Sequence, residues 1–234
     1  VTIGSVLDES WTLFTRFFGR FFLFGLTVFA VVNLVYALVV ESISDNAAAA
    51  AVLGVVGLTA VVVGTTWLQG AFVYAVQDAR DGTFDSTLGE VFSRVSPSIV
   101  PLLVAGMLAG IGIGIGFVLL VVPGLYLLTI WAVIAPVIVI ERTGALDAFG
   151  RSRELVRGHG WTVLGIVVIT GLLSAIASGL LRAAFSFLPR FLEIFVGGTI
   201  AQAVVAPFVA VALAITYFRL RETQGSPPEP EREP

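Results

Sequence analysis

Hydrolysis or group transfer needs a base, a nucleophile or a metal held in fixed geometry, and this chain carries few groups of that kind. It has one histidine, no cysteine and no lysine in 234 residues. His159 lies between Gly158 and Gly160 just before Trp161, a setting for a solvated or interfacial imidazole rather than a catalytic one. Without cysteine there is neither a disulfide framework nor a thiolate metal site. No carboxylates cluster either, so the reading is non-enzymatic, with no cofactor and no metal. The net charge of −3 argues against nucleic acid as a partner. The most charged stretch near an apolar run holds Glu141, Arg151, Arg153 and Arg157. A carboxylate at the end of an apolar helix is costly in lipid and requires a partner, for which Arg151 and Arg153 are the candidates. Two readings follow. The pair pins a surface helix to the rest of the protein, or Arg151, Arg153 and Arg157 together hold an anionic lipid headgroup.

The apolar runs contain amides and hydroxyls but no clearly central ionisable group, which disfavours a driven proton or ion pathway. Asn33, Gln69 and Gln202 are the amides a cleft would use, and Thr59, Thr65, Thr66, Thr129, Thr170, Ser174 and Ser178 are the hydroxyls. Most such groups bond a neighbouring helix or their own backbone. In "GMLAGIGIGIGFV" the glycines Gly106, Gly110, Gly112, Gly114 and Gly116 follow no strand, which argues against a dinucleotide fingerprint. They fit close helix packing or a flexible stretch that opens a lateral cleft.

The elements that position these groups follow from composition. The chain is 57% hydrophobic and 12% charged, against about a quarter charged in soluble domains. About 20 apolar residues cross the roughly 30 Å hydrocarbon layer as a helix. On that ruler the spans are 21–40, about 50–77, 99–121, 125–140, 161–181 and about 197–218. The second is longer than needed, implying tilt or an interfacial extension. The first is a retained span rather than a secretory signal, because an acidic segment precedes it and no small-residue cleavage motif follows. Pro123 and Gly124 predict a tight turn between the third and fourth spans. Pro136 and Pro207 predict kinks that either shape a cavity or fit the packing. Arg16, Arg20, Arg80, Arg94, Arg142, Arg151, Arg153, Arg157, Arg219 and Arg221 fall on one side of this arrangement, and Arg182 and Arg190 on the other. Both termini are therefore expected in the cytoplasm of a multi-pass cell-membrane protein. The tail 222–234, with four prolines, reads as disordered, and "FSFLPRFLEIF" as lying along the outer interface.

Three cytoplasmic segments read as amphipathic surface helices. In residues 1–20, Leu7, Trp11, Phe14 and Phe18 share a face, and Ser5 with Asp8 resembles a capping box. In the third segment Ala145, Phe149, Ser152 and Val156 form one stripe, and Asp147, Arg151 and Glu154 another. The second, Ser86 to Arg94, is shorter and less regular. "LDESWTLFTRFFGRFFLFGL", "LGEVFSRVSPSIVPLLVAG" and "LDAFGRSRELVRGHGWTVLG" each lead into a span, and "VQDARDG", "VIERTG" and "FRLRETQG" close the returning spans. The pattern reads as a threefold repeat of surface helix plus hairpin, with chance similarity in a restricted alphabet as the alternative. The fold class is all-α, a polytopic membrane bundle of about six transmembrane helices with interfacial helices in a domain over 1–221.

Trp131, Pro136, Glu141, Ala148, Arg151, Ser152, Leu155, Arg157, Gly158 and Trp161 form a distinctive series. With "LDESWTLFTRFFG" and "YFRLR", this series resembles the bacterial and archaeal membrane-domain superfamily that includes the membrane domain of glycerophosphoryl diester phosphodiesterase. The resemblance implies a six-helix membrane domain without an assigned activity. The phosphodiesterase chemistry belongs to a soluble barrel absent from these residues. The Arg-only, Ala-, Val- and Gly-rich composition is that of a GC-rich bacterial genome. The expected role is a scaffold or accessory protein with membrane lipid as its partner, touching anionic lipid on the cytoplasmic face. The competing reading is a permease or lipid-translocating protein, and an intramembrane enzyme ranks last.

Overall fold

Where acyl chains replace water, every backbone N–H and C=O must be bonded within the segment that carries it, and the helix is the local solution. The computed structural model describes residues 1–41, 47–80 and 87–225. All regular structure among them is helical: α1 Ile3–Arg16, α2 Phe18–Glu41, α3 Ala47–Arg80, α4 Leu88–Val95, α5 Ile99–Leu119, α6 Val121–Ile130, α7 Ile134–Glu141, α8 Ala145–Val156, α9 Gly160–Phe185, α10 Arg190–Leu192 and α11 Gly198–Thr223. The chain is an all-α helical bundle with five described helices long and apolar enough to cross a membrane. They cover Phe18–Val40, Gly89–Leu119, Val121–Glu141, Gly160–Phe185 and Arg190–Thr223. The expected second span, about 50–77, falls within the single 34-residue helix α3.

α11 is the central element. Half of its most apolar window is buried, against 17% for the windows in α5 and α9, so those two face outward. α11 packs on α1, α2, α3 and α9, with Val211, Ala212, Ile215 and Tyr217 fully buried. Pro207 lies inside it and leaves the Ala203 carbonyl without its helical donor. Gly25 of α2 closes on that point: a Cβ there would lie 3.0 Å from the Ala203 Cα and 3.2 Å from its oxygen. The absent side chain is what lets the two backbones meet.

The expected turn at Pro123 and Gly124 is displaced. The chain reverses at Leu120, whose backbone is extended (φ −163°, ψ 154°), and Pro123 sits in the first turn of α6. Proline is tolerated there because first-turn N–H groups have no intrahelical partner. The fourth span accordingly starts at Val121 rather than 125. It is interrupted at residues 131–133, before Pro136, which cannot donate to the Ala132 carbonyl. The Ile134 N–H bonds Trp131 instead, at 3.3 Å, which frees the Ile130 carbonyl. The fully buried Ser152 hydroxyl of α8 donates to that carbonyl at 2.8 Å. The segment between the fifth and sixth spans carries the short helix α10. A π-helical turn at Glu193–Gly197 leads directly into α11. Glu222 and Thr223 of the expected tail are helical in α11, and residues 226–234 lie outside the described ones.

The surface helices are present, and their buried faces overlap the expected ones in part, at Phe14 in α1 and at Ser152 and Val156 in α8. In α1 the buried residues are Val6, Ser10 and Phe14, while Trp11 faces outward and packs edge-on against Phe208. The most apolar face of a membrane-bound helix need not face protein, since lipid solvates it equally well. The helix starts at Thr2, whose hydroxyl accepts from the Ser5 N–H, three residues before the expected cap. α4 opens with a true capping box that the spacing already contained, in which the Thr87 N–H donates to Glu90 and the Glu90 N–H to Thr87.

Ser152 and Ser10 provide a matched pair for testing the broken helix. Ser10 bonds only its own helix at the Val6 carbonyl, which already accepts a backbone N–H. Ser152→Ala should lower unfolding stability by about 1–3 kcal/mol, the cost of an orphaned buried carbonyl, whereas Ser10→Ala should stay within about 0.5 kcal/mol. Thermal melts in detergent would read both, and equal shifts would refute the account of the break.

Candidate functional site

At one end of the bundle three ion pairs share one relation: the end of a returning helix pairs with the next surface helix. Asp78 of α3 meets Arg94 of α4 at 3.6 Å, Glu141 of α7 meets Arg151 of α8 at 3.0 Å, and Arg219 of α11 meets Glu9 of α1 at 2.6 Å. The third closes the chain on itself with the signs exchanged. In each surface helix the residues three before and one after the paired charge are fully buried: Val6 and Ser10, Val91 and Val95, Ala148 and Ser152. This register repeats, but it is not the register of the leading leucines Leu7, Leu88 and Leu146.

Glu141 has both oxygens engaged. Oε2 accepts from Arg151 Nε at 3.0 Å and Oε1 from the Tyr217 hydroxyl at 2.9 Å, so α7, α8 and α11 meet at one carboxylate. Burial works against the Arg151 charge, but the hydrogen bond and charge of Glu141, with Glu154 behind them, outweigh it and raise its affinity for the proton further. Of the two expected partners for Glu141 the structure selects Arg151. Arg153 and Arg157 are exposed and have no ion-pair partner among the described residues. Nearby, Trp131 packs edge-on against Phe149, with ring centroids 4.9 Å apart, and Arg80 bridges Glu9 and Glu222 while lying 4.5 Å over the Phe218 ring. His159 holds the N-cap position of α9 without a side-chain capping bond and is half-buried.

A second feature lies deeper, a cavity of about 510 Å³ between α3, α5, the α6–α7 break and α11. Its walls are mainly apolar, with Phe72, Leu102, Trp131 and Leu213 among them, and Gln69 and Gln202 supply amides. Pro136 lines it as well, and Ala206 and Ala210 flank the Pro207 turn. Asn33 is not on this surface. It is buried between α2 and α11, donating to the Phe29 carbonyl at 2.9 Å and to Gln202 Oε1 at 3.5 Å. The glycine stretch divides by role. A Cβ on Gly116 would meet the Gly124 backbone and one on Gly112 the Trp131 ring, while Gly106, Gly110 and Gly114 have open space. Packing explains the first two, and Gly106 lines the cavity.

The Glu141–Arg151 pair is mostly enclosed, with side chains 19% and 24% exposed. It should therefore couple more strongly than a surface pair and less than a fully buried one. A double-mutant cycle with Glu141→Gln and Arg151→Gln should return about 1 kcal/mol of interaction energy. The same cycle on Glu141 and Arg153 should return none; equal coupling in both would place the partner incorrectly.

A family model for a domain of unknown function, DUF7847, matches residues 70–220, well over half of the chain. No curated protein and no solved structure matches. The matched stretch runs from α3 to the end of α11 and contains Glu141 with both of its partners. The chain therefore belongs to the family of the domain of unknown function DUF7847.

Proposed function

We propose that this chain is a non-enzymatic domain of the cell membrane, a scaffold or accessory protein that holds anionic lipid at its cytoplasmic face. In this reading α3 is the second of six spans and both termini are cytoplasmic, in line with the arginine distribution. The likeness to the membrane domain of glycerophosphoryl diester phosphodiesterase supports a membrane part separate from any catalytic barrel. The observation that carries the lipid clause is the outer face of α8. Arg153 and Arg157 project there without a described carboxylate partner, beside Leu146 at 73% exposed and Trp161 at 88%. Guanidinium groups flanked by an exposed leucine and tryptophan suit the boundary between anionic headgroups and acyl chains. Arg151 takes no part in this, because its charge is committed to Glu141. A second reading, a permease or lipid-translocating protein, draws on the cavity and its two amides.

Each basic residue near an anionic surface contributes about 1 kcal/mol. Arg153→Ala and Arg157→Ala should each reduce phosphatidylglycerol retained through purification by about fivefold, with unchanged melting behaviour. Retention equal to the unaltered protein in the double variant would remove the lipid clause.

A further inference from the structure

We propose that the cavity between α3, α5, the α6–α7 break and α11 is a binding site for an uncharged amphiphile from the membrane: one apolar chain ending in a hydrogen-bonding oxygen, as in a monoacylglycerol. Its volume of about 510 Å³ lies within the range of small-molecule pockets, which characteristically combine apolar walls with a few placed polar groups. Gln69 precedes Arg80 by eleven residues, roughly 16 Å along the helix, which is close to half of the hydrocarbon thickness. At that depth water is scarce, and an amide without a partner is costly.

Gln69 is an exposed lining residue and forms no hydrogen bond with any described residue. Gln202 accepts from Asn33 through Oε1 and lines the cavity, and its amide N–H groups have no acceptor among the described residues. A carbonyl, ester or hydroxyl oxygen satisfies them. No Asp, Glu, Lys or Arg lines the cavity, so a charged headgroup would enter without a counter-ion. Access is from the acyl layer. Gly106 at the cavity edge is exposed with open space where a side chain would be, between the exposed Val104 and Leu108. Binding here is independent of the arginine surface of α8 and of whether the molecule is carried across the membrane.

Trp131 lines the cavity and reports on it. In nanodiscs, a variant with Trp11, Trp67 and Trp161 changed to Phe is titrated with a bromine-labelled monoacylglycerol. Quenching of Trp131 should saturate at a low mole fraction. Gln69→Leu with Gln202→Leu should raise the half-saturating fraction about tenfold, and Ala109→Phe should abolish saturation by filling the space. Should Ala109→Phe fail to fold, Gly106→Leu fills the same opening. The brominated fatty acid of equal chain length, ionised at pH 8, should need about tenfold more. Quenching that only rises in proportion to bulk bromolipid, saturation that survives the filled cavity, or indifference to the amide changes would overturn the proposal. Equal affinity for the ionised acid would overturn the choice of an uncharged headgroup.

Discussion

Hydrocarbon offers no hydrogen bonds and does little to screen charge, and this constraint places nearly every polar contact described above. Several carboxylates and guanidiniums meet in pairs at one end, and these pairs tie neighbouring and remote helices together. Glu9 and Arg219 join the first and last helices of the described chain, and Glu141 gathers α7, α8 and α11 at a single side chain. Apolar burial cannot do this work alone, because lipid competes for every leucine surface. The paired end therefore specifies which helix lies next to which, while the membrane specifies only that there are helices.

The same constraint lets small residues hold buried positions on the surface helices while some large apolar side chains face outward. Ser10, Ala148 and Ser152 face protein, whereas Trp11, Leu146 and Trp161 face outward. Close approach is achieved by omission, at Gly25 against Ala203 and at Gly116 against Gly124. Where a proline breaks the backbone ladder, another helix supplies the bond, as Ser152 does for Ile130. The two cavity amides are the exception to this economy. Both line a space that no described side chain fills, a feature suited to a ligand rather than to packing.

The apolar runs announced α2, α5, α9 and α11, because a span of hydrocarbon demands an uncharged length and little else. What hydropathy could not resolve was direction around the helix axis. Leu7 and Trp11 mark the most apolar face of α1, yet Trp11 faces outward rather than into the bundle. Proline carried two meanings, a turn or a first helical position, and at Pro123 the second applies. The Thr87–Glu90 capping box was readable from spacing alone. The choice of Arg151 over Arg153 was not, since both lie within reach along the sequence and only the packing of α8 separates them. Gln69 and Gln202 were identifiable as polar groups in apolar runs, but their meeting at one cavity, and the withdrawal of Asn33 from it, depend on how α3 and α11 pack.

The central claim is that the last helix closes onto the first surface helix where Arg219 meets Glu9. The chain has no cysteine, so thiols can be introduced without interference. With Glu9→Cys and Arg219→Cys together, a short bis-maleimide added to native membranes, which spans the length of the two lost side chains, should give an intramolecular cross-link seen as a mobility shift. Glu9→Cys with Ser186→Cys, at opposite ends of the bundle, should give none. Absence of the first cross-link, or its appearance in both pairs, would contradict the account.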